Sequence, residues 1–314
     1  MREIGPERVR ELTDWGPLIE ALAEMFRSGC EAPVRHHHTV GVPGEPDATL
    51  LLMPAWLQGR YIGVKVLNVF PGNAARGLTS ISAVYLLSSA ATGEMLAAID
   101  GGELTARRTA AASALAARHL ASNKAAALLM VGTGRLSGNL IAAHARVRSY
   151  ETITIWGRNP DRAASMASAM AAEGLPAVAV DDLEAAARSA DVISCATLSS
   201  EPLILGAWLK PGAHLDLVGG FTPQMREADD EAIRRATVFV DTYHGATKEG
   251  GDIVQPLESG LLTTREIESD LHGLCHGEHP GRMGDQEITL FKSVGAALED
   301  LAAAILVYEG DRGT

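Results

Sequence analysis

The chain has 314 residues, 46% of them hydrophobic and 21% charged, which is enough for two domains with sizeable cores. A formal net charge of −12 argues against nucleic acid or an anionic membrane as a general partner, although a few arginines can still make a local pocket for a small anion. No apolar run reaches the length of a membrane span, the charged opening MREIGPERVRELTDWG lacks a signal-peptide core, and Cys30, Cys195 and Cys275 form no C-x-x-C pair, so a cytoplasmic protein is expected.

Residues 6–29 show helical periodicity, with Val9, Leu12, Leu18, Ile19, Leu22 and Met25 on one stripe. From 35 to 88 the text turns strand-like, at 49–53, 61–67 and 82–87, with turns such as Phe70-Pro71-Gly72-Asn73 between. Residues 105–121 form an alanine-rich helix. A strand–turn–helix–strand unit follows over 125–162. Next come a helix at 160–174, a strand at 177–180, a helix at 182–189 and a strand at 191–195. Strands at 214–218 and 237–240 flank a helix at 226–235. This alternation implies an α/β fold with a parallel sheet. A last helix, 291–308, is apolar on one face and is expected to return to the first domain or to a partner subunit.

The segment 125–162 is the most informative. An apolar strand leads into Gly132-Thr133-Gly134-Arg135-Leu136-Ser137, which matches G-x-G-x-x-G except at its last position. Gly132 permits the tight turn, Gly134 leaves room for a pyrophosphate, and Ser137 is small enough for close helix–strand packing. The helix then presents its N-terminus to the phosphates. An ordinary strand–helix turn also favours glycine, but here strand, turn, helix and second strand agree. An NAD-binding unit carries an acid about 20 residues after the glycines, at the end of the second strand. This strand ends instead at Gly157-Arg158-Asn159, with Arg162 close by. A guanidinium there suits a 2′-phosphate, so NADPH is the expected cofactor, with NADH as the alternative. Thr197 follows the strand at 191–195, where such turns touch the cofactor.

Among the basic residues before this unit, Arg35, Lys65, Arg107 and Arg108 stand out. Lys65 interrupts an apolar strand, where a charge needs a cleft or an acid. Arg107 and Arg108 open the alanine-rich helix, against its macrodipole. Arg35 lies in Ala32-Pro33-Val34-Arg35-His36-His37-His38. Such a cluster points to a carboxylate-bearing substrate; pairing of Lys65 with an internal acid is the plain structural alternative. The three histidines lack further ligands at recognisable spacing, so no metal site is expected. One of them is a candidate proton donor.

The chain resembles the ornithine cyclodeaminase/μ-crystallin family over nearly its whole length. The matching segments include Pro33-Val34-Arg35, Met53-Pro54-Ala55, Gly63-Val64-Lys65, Leu104-Thr105-Ala106-Arg107-Arg108-Thr109, Val131-Gly132-Thr133-Gly134, Val238-Phe239-Val240-Asp241 and Thr289-Leu290-Phe291-Lys292-Ser293-Val294-Gly295. The resemblance implies a homodimer. It also implies a split α+β substrate/dimerisation domain (1–120 and 296–314) and a Rossmann-type dinucleotide-binding domain (121–295). It places carboxylate binding on Arg35, Lys65 and Arg108, and Lys292-Ser293-Val294 near the nicotinamide. Glu249 and Asp252 are taken as structural.

One departure stands out. Cyclodeaminases of this family look like G-G-D-C-P where this chain has Gly219-Gly220-Phe221-Thr222-Pro223, so their catalytic aspartate falls on Phe221. Phenylalanine cannot transfer a proton, and Asp216 lies too early on its strand to replace it. What remains suits reduction of a cyclic imino acid to L-proline or L-pipecolate. The proton would come from Lys65, a histidine of 36–38 or water. Within the family the resemblance is greatest to the Δ1-pyrroline-2-carboxylate reductases. Ornithine cyclodeaminase, alanine dehydrogenase and a non-catalytic NADPH-binding crystallin are the alternatives.

Overall fold

The computed structural model describes residues 1–313. In chain order its elements begin with β1 (Arg2–Ile4), α1 (Pro6–Leu12), α2 (Trp15–Ser28), β2 (His36–Val40), β3 (Ala48–Leu57), β4 (Tyr61–Val69), β5 (Ile81–Ser89), β6 (Met95–Asp100) and α3 (Gly101–Leu120). Then come β7 (Ala127–Val131), α4 (Arg135–Val147), β8 (Thr152–Trp156), α5 (Pro160–Ala172), β9 (Ala177–Ala179), α6 (Leu183–Ser189), β10 (Val192–Cys195) and β11 (His214–Leu217). The remainder is α7 (Asp230–Arg235), β12 (Ala236–Val240), α8 (Tyr243–Glu249), α9 (Gly251–Ser259), β13 (Ile267–Asp270), α10 (Leu271–His276), β14 (Ile288–Lys292) and α11 (Ala297–Arg312).

The chain divides into two compact units, Met1–Arg108 with Ala296–Thr314, and Thr109–Gly295. The division falls inside α3 rather than at residue 120. The reason is packing: Ala110, Ala111, Ala112, Ala114 and Leu115 are fully buried, and Ser113 donates to Asp216 of β11.

The first unit is built on a six-stranded sheet, ordered β1-β6-β5-β4-β3-β2, in which only β1 and β6 pair in parallel. Its inner face lies against α11, which in turn packs on α2. Strand alternation puts Met53, Lys65, Tyr85 and Ile99 in one register row on that face, all buried. The opposite face is apolar and half-exposed, with Leu52, Trp56, Val64, Val66 and Leu86 among its residues.

The second unit has an eight-stranded, wholly parallel sheet, ordered β13-β12-β14-β11-β10-β7-β8-β9. Strand order reverses between β7 and β10. Ligands of doubly wound sheets bind outside the strand C-termini at such a point. The core beneath includes Leu129, Val131, Ile193, Cys195, Leu215 and Leu217.

Several expected elements shift. The helix at 6–29 is two helices: Thr13 Oγ1 donates back to Val9 O at 2.7 Å, and Arg107 holds the break. Its Nε donates to Thr13 Oγ1 at 3.0 Å, its Nη2 to Thr13 O, and its guanidinium stacks 3.6 Å from the Trp15 ring centroid. Arg107 is therefore a brace and not part of the cation cluster. The helix at 226–235 starts only at Asp230, because Asp229 caps it by accepting from Ala232 N at 2.9 Å. The last helix starts at Ala297, not at 291. Phe291 and Lys292 end β14, and the Val294 and Gly295 amides are tied to Asp241 at 2.7 and 2.6 Å, which turns the chain out of the sheet. The pattern also concealed β1, β6, β13, β14, α8, α9 and α10.

Among the described residues no helix is long and apolar enough to cross a membrane.

Candidate functional site

In the first unit, β4 delivers Lys65 to the covered face of the sheet, where it is 1% exposed. Its Nζ donates to Asp300 Oδ1 at 3.0 Å, lies 2.7 Å from Oδ2, and reaches Thr105 Oγ1 at 3.4 Å. Arg108, on α3, donates from Nε to the same Asp300 Oδ1 at 2.8 Å and from Nη1 to Glu299 Oε2 at 2.6 Å. Both acids stand in the first turn of α11, where the helix dipole favours negative charge. A buried cation left without such a partner is destabilising by several kcal/mol, on the order of 3–5.

These charges set the site's proton chemistry. Lys65 is lowered to about 8: burial is the main cause, Asp300 opposes it, and Arg108 and Arg35 add to the lowering. Burial alone would lower Arg108, yet Asp300 and Glu299 outweigh it and hold the guanidinium above its ordinary value. Asp300 stays below the usual carboxylate range, because Arg108 and Lys65 outweigh its burial. Arg35, half-buried before β2, is near enough to be felt at Lys65. The structure thus brings Arg35, Lys65 and Arg108 into one neighbourhood. Each arginine there disfavours the lysine's proton, and an incoming carboxylate would relieve that repulsion.

The histidine run is divided by the strand alternation. His36 and His38 pair opposite Leu52 and Leu50, on the outer face, with ring centroids 6.3 Å apart. His37 pairs opposite Leu51 and so shares the face of Lys65. Only His37 remains a candidate donor.

Tyr85, opposite Lys65 in register, is fully buried with no hydrogen bond at its hydroxyl. It lies over Gly63, where a Cβ would stand 1.9 Å from Tyr85 Oη, so the bare glycine is what admits the ring. Neither Tyr85, Thr105 nor the Glu299-Asp300 pair was singled out from the sequence. Two adjacent acids in the otherwise apolar stretch 297–308 were the available signal.

In the second unit the glycine turn leaves β7 at the switch point. Gly132 has φ +118°, and a Cβ there would meet Ala196 O at 2.7 Å and Thr197 Cγ2 at 3.4 Å. Gly134 faces open space and caps α4 without a side-chain bond, so the first-turn amides have no side-chain capping bond. Ser137 is buried with an unpartnered Oγ. Close packing behind the turn, space in front of it and an uncapped helix start fit a dinucleotide pyrophosphate. At the end of β8, Gly157 packs on Thr133, where a Cβ would meet Cγ2 at 2.6 Å. Arg158, Asn159 and Arg162 are exposed. Asn159 is also a helix cap, accepting from Arg162 N at 3.1 Å.

Thr197 turns its donors inward: its N and Oγ1 reach Glu227 Oε1 at 2.7 and 2.8 Å. What it offers a ligand is its place beside Gly132. Lys292 is fully buried and bonds Asp252 Oδ2 at 2.9 Å, so its ammonium does not face a ligand. Asp216 is buried among Ser113, Ser194 and His144, at 3.0, 2.6 and 3.1 Å, which keeps it from standing in at position 221. Phe221 itself is 39% exposed beyond the end of β11.

Residues 5–314 match the model of the ornithine cyclodeaminase/mu-crystallin family. The chain belongs to this family. It is 36% identical over 291 residues to the Δ1-pyrroline-2-carboxylate reductase of Paracoccus denitrificans, covering 92% of this chain and 90% of that protein. It is similar to the solved structure of Thermococcus litoralis Δ1-pyrroline-2-carboxylate reductase in complex with NADH and L-proline. There the TM-score is 0.93 at 30% identity, with 100% of this chain and 99% of that one covered. It is also similar to an archaeal alanine dehydrogenase dimer with bound NAD, with a TM-score of 0.91 at 28% identity, covering 100% and 96%. Family membership covers both units, and the second unit has the Rossmann-type arrangement that its glycine motif foretold.

Proposed function

We propose that this member of the family is an NAD(P)H-dependent imine oxidoreductase that reduces a cyclic imino acid. The substrate is Δ1-pyrroline-2-carboxylate, with Δ1-piperideine-2-carboxylate as a second, and the products are L-proline and L-pipecolate. The observation that carries this reading is the Lys65–Arg108–Asp300 cluster with Arg35 beside it. Arg35 and Arg108 bind the substrate carboxylate, whose charge offsets their repulsion of Lys65. When bound, a reduced nicotinamide supplies the hydride that the imine carbon gains. The imine nitrogen takes its proton from the Lys65 ammonium, which Asp300 orients. Phe221, in place of an aspartate, removes the carboxylate that cyclodeamination needs and supports reduction over ammonia loss.

Gly132, Gly134, Ser137 and the start of α4 hold the pyrophosphate, and Thr197 borders it. Arg158 and Arg162, exposed after a strand that ends in glycine, favour NADPH. The apolar outer face of the six-stranded sheet, with Trp56, Val64, Val66 and Leu86, supports a homodimer through that face.

The test is a substrate panel. NADPH oxidation with pyrroline-2-carboxylate well above that with pyruvate and ammonia supports the reading. The reverse ranking makes the protein an alanine dehydrogenase, as one similar structure is, and ammonia release from ornithine makes it a cyclodeaminase. Tight NADPH binding without turnover of any imino acid leaves a non-catalytic binder.

A further inference from the structure

Glu227 is fully buried, and its contacts reach beyond Thr197. It lies between β11 and α7, in a segment bridged through Ala228 to Ile204, and its own carbonyl accepts from Leu203 N and Ile204 N at 2.9 and 3.0 Å. Its Oε1 accepts from Thr197 N and Oγ1 at 2.7 and 2.8 Å, and its Oε2 accepts from Gly219 N at 2.7 Å. One carboxylate therefore ties the loop after β10 to the loop after β11. The first of these loops abuts the glycine turn, since Ala196 and Thr197 are what a Cβ at Gly132 would strike. The second is equally tight, with a Cβ at Gly219 meeting Thr197 O at 2.1 Å.

Glu227 is itself held from behind. Asp252 Oδ1 accepts from Glu227 N and Ala228 N at 2.7 and 3.1 Å, and Asp252 Oδ2 accepts from Lys292 Nζ. A buried acid with this many specific partners is a device that holds backbone in place.

We infer that Glu227 is a positioning residue for the dinucleotide: its ionised carboxylate locks the loops after β10 and β11 against the glycine turn, and only the locked form binds cofactor tightly. All three of its partners present a proton. A protonated Glu227 has one oxygen that must donate; no backbone N–H can accept, so the proton can go only to the Thr197 hydroxyl, which then ceases to donate, and protonation weakens the tie.

The charged and titratable groups around it are Lys292 on β14, Asp252 on α9 and the Cys195 thiol on β10. Arg226 is turned away, to Asp230 and Ala228 O. Burial pushes Glu227 up to about 7; Lys292 and the Thr197 donors oppose the rise and Asp252 adds to it. The Cys195 thiol is held well above its ordinary range by burial and stays neutral. The inference rests on the dinucleotide-binding part of the proposed function and not on the substrate.

The experiment is titration of cofactor-free protein with NADH, followed by fluorescence, at a series of pH values across neutrality. NADH is chosen because it lacks the 2′-phosphate, which titrates nearby. Wild-type affinity should fall about tenfold per unit below the transition. Glu227→Gln should bind weakly and without that pH dependence. Thr197→Val, which loses one donor to the carboxylate but keeps the backbone N–H, should retain the transition and move it to higher pH. A wild-type profile that is flat, a Glu227→Gln profile like the wild type, or an unmoved transition in Thr197→Val overturns the inference. Should Glu227→Gln fail to fold, the wild type and Thr197→Val still decide it. NADH binding at no pH overturns the cofactor reading as well, whereas pH-dependent binding without imino acid turnover removes only the proposed substrate.

Discussion

Lys65 and Asp300 are 235 positions apart in the chain, and their charged groups lie 2.7 Å apart in the interior of the first unit. The contact is a structural ion pair and also the means of keeping a buried lysine protonated. Both parts have measurable consequences.

Asp300→Asn should leave two buried cations short of an anion. Unfolding in urea should show a loss of about 3–5 kcal/mol. In the same variant Lys65 should titrate lower, since its main stabilising charge is gone.

Lys65→Met keeps the volume and removes the proton. Loss of a charge-assisted bond in a closed site is worth about 1.5–3 kcal/mol, so imino acid reduction should fall on the order of 10- to 150-fold in kcat/KM. Dinucleotide affinity, measured separately, should not change. Unaltered kcat/KM would remove Lys65 from the reaction.

The pH dependence follows from the direction of the Lys65 shift. In the proposed reaction the protonated form is the donor, and its population falls as pH rises through about 8. The kcat/KM of reduction should therefore decline above about 8, and Asp300→Asn should move that decline to lower pH. Stability has the opposite sense. Between about 8 and the ordinary value of 10.5 the unfolded chain holds more protons at this residue, so the Lys65 contribution to stability rises with pH there.

The two glycines of the turn should differ. Gly132→Ala meets both a positive φ and the Ala196 carbonyl, and should lower both the melting temperature and cofactor affinity. At Gly134 a methyl group meets no protein atom within 4 Å, so Gly134→Ala should melt like the wild type while binding dinucleotide poorly.

Arg158→Ala should lower the preference for NADPH over NADH on the order of tenfold, with little change in NADH kinetics alone. An unchanged ratio would place the 2′-phosphate elsewhere.

How much of this was visible beforehand follows from the range of the interactions. The βαβ unit is local: strand, glycines, helix and second strand fall within 125–162, and short-range patterns fix them. The cation cluster was half visible, because a lysine within Ile-Gly-Val-Lys-Val announces a need for an anion without saying where the anion is. Asp300 and Glu299 were hidden because 291–308 reads as one apolar helix, and β14 was absorbed into the same stretch. The segment 241–276 was opaque for another reason. Gly250, Gly251 and Pro256 look like loop punctuation, yet α8 and α9 form there under tertiary packing, with Ile253 and Val254 buried. Glu227 was read into a helix at 226–235 that starts only at Asp230, and its role stayed hidden because it is defined by donors on two other loops.

The position of β14 has a consequence for how the protein is made. This strand lies between β11 and β12 in the eight-stranded sheet, though among the described residues it follows all the other strands of that sheet in chain order. A nascent chain can form the early half of that sheet, but β11 and β12 have no common neighbour until residue 288 has left the ribosome. The anions for Lys65 and Arg108 emerge later still. Both units thus wait on residues 288–300, and an arrest before these are made should yield a chain that chaperones hold and proteases clear.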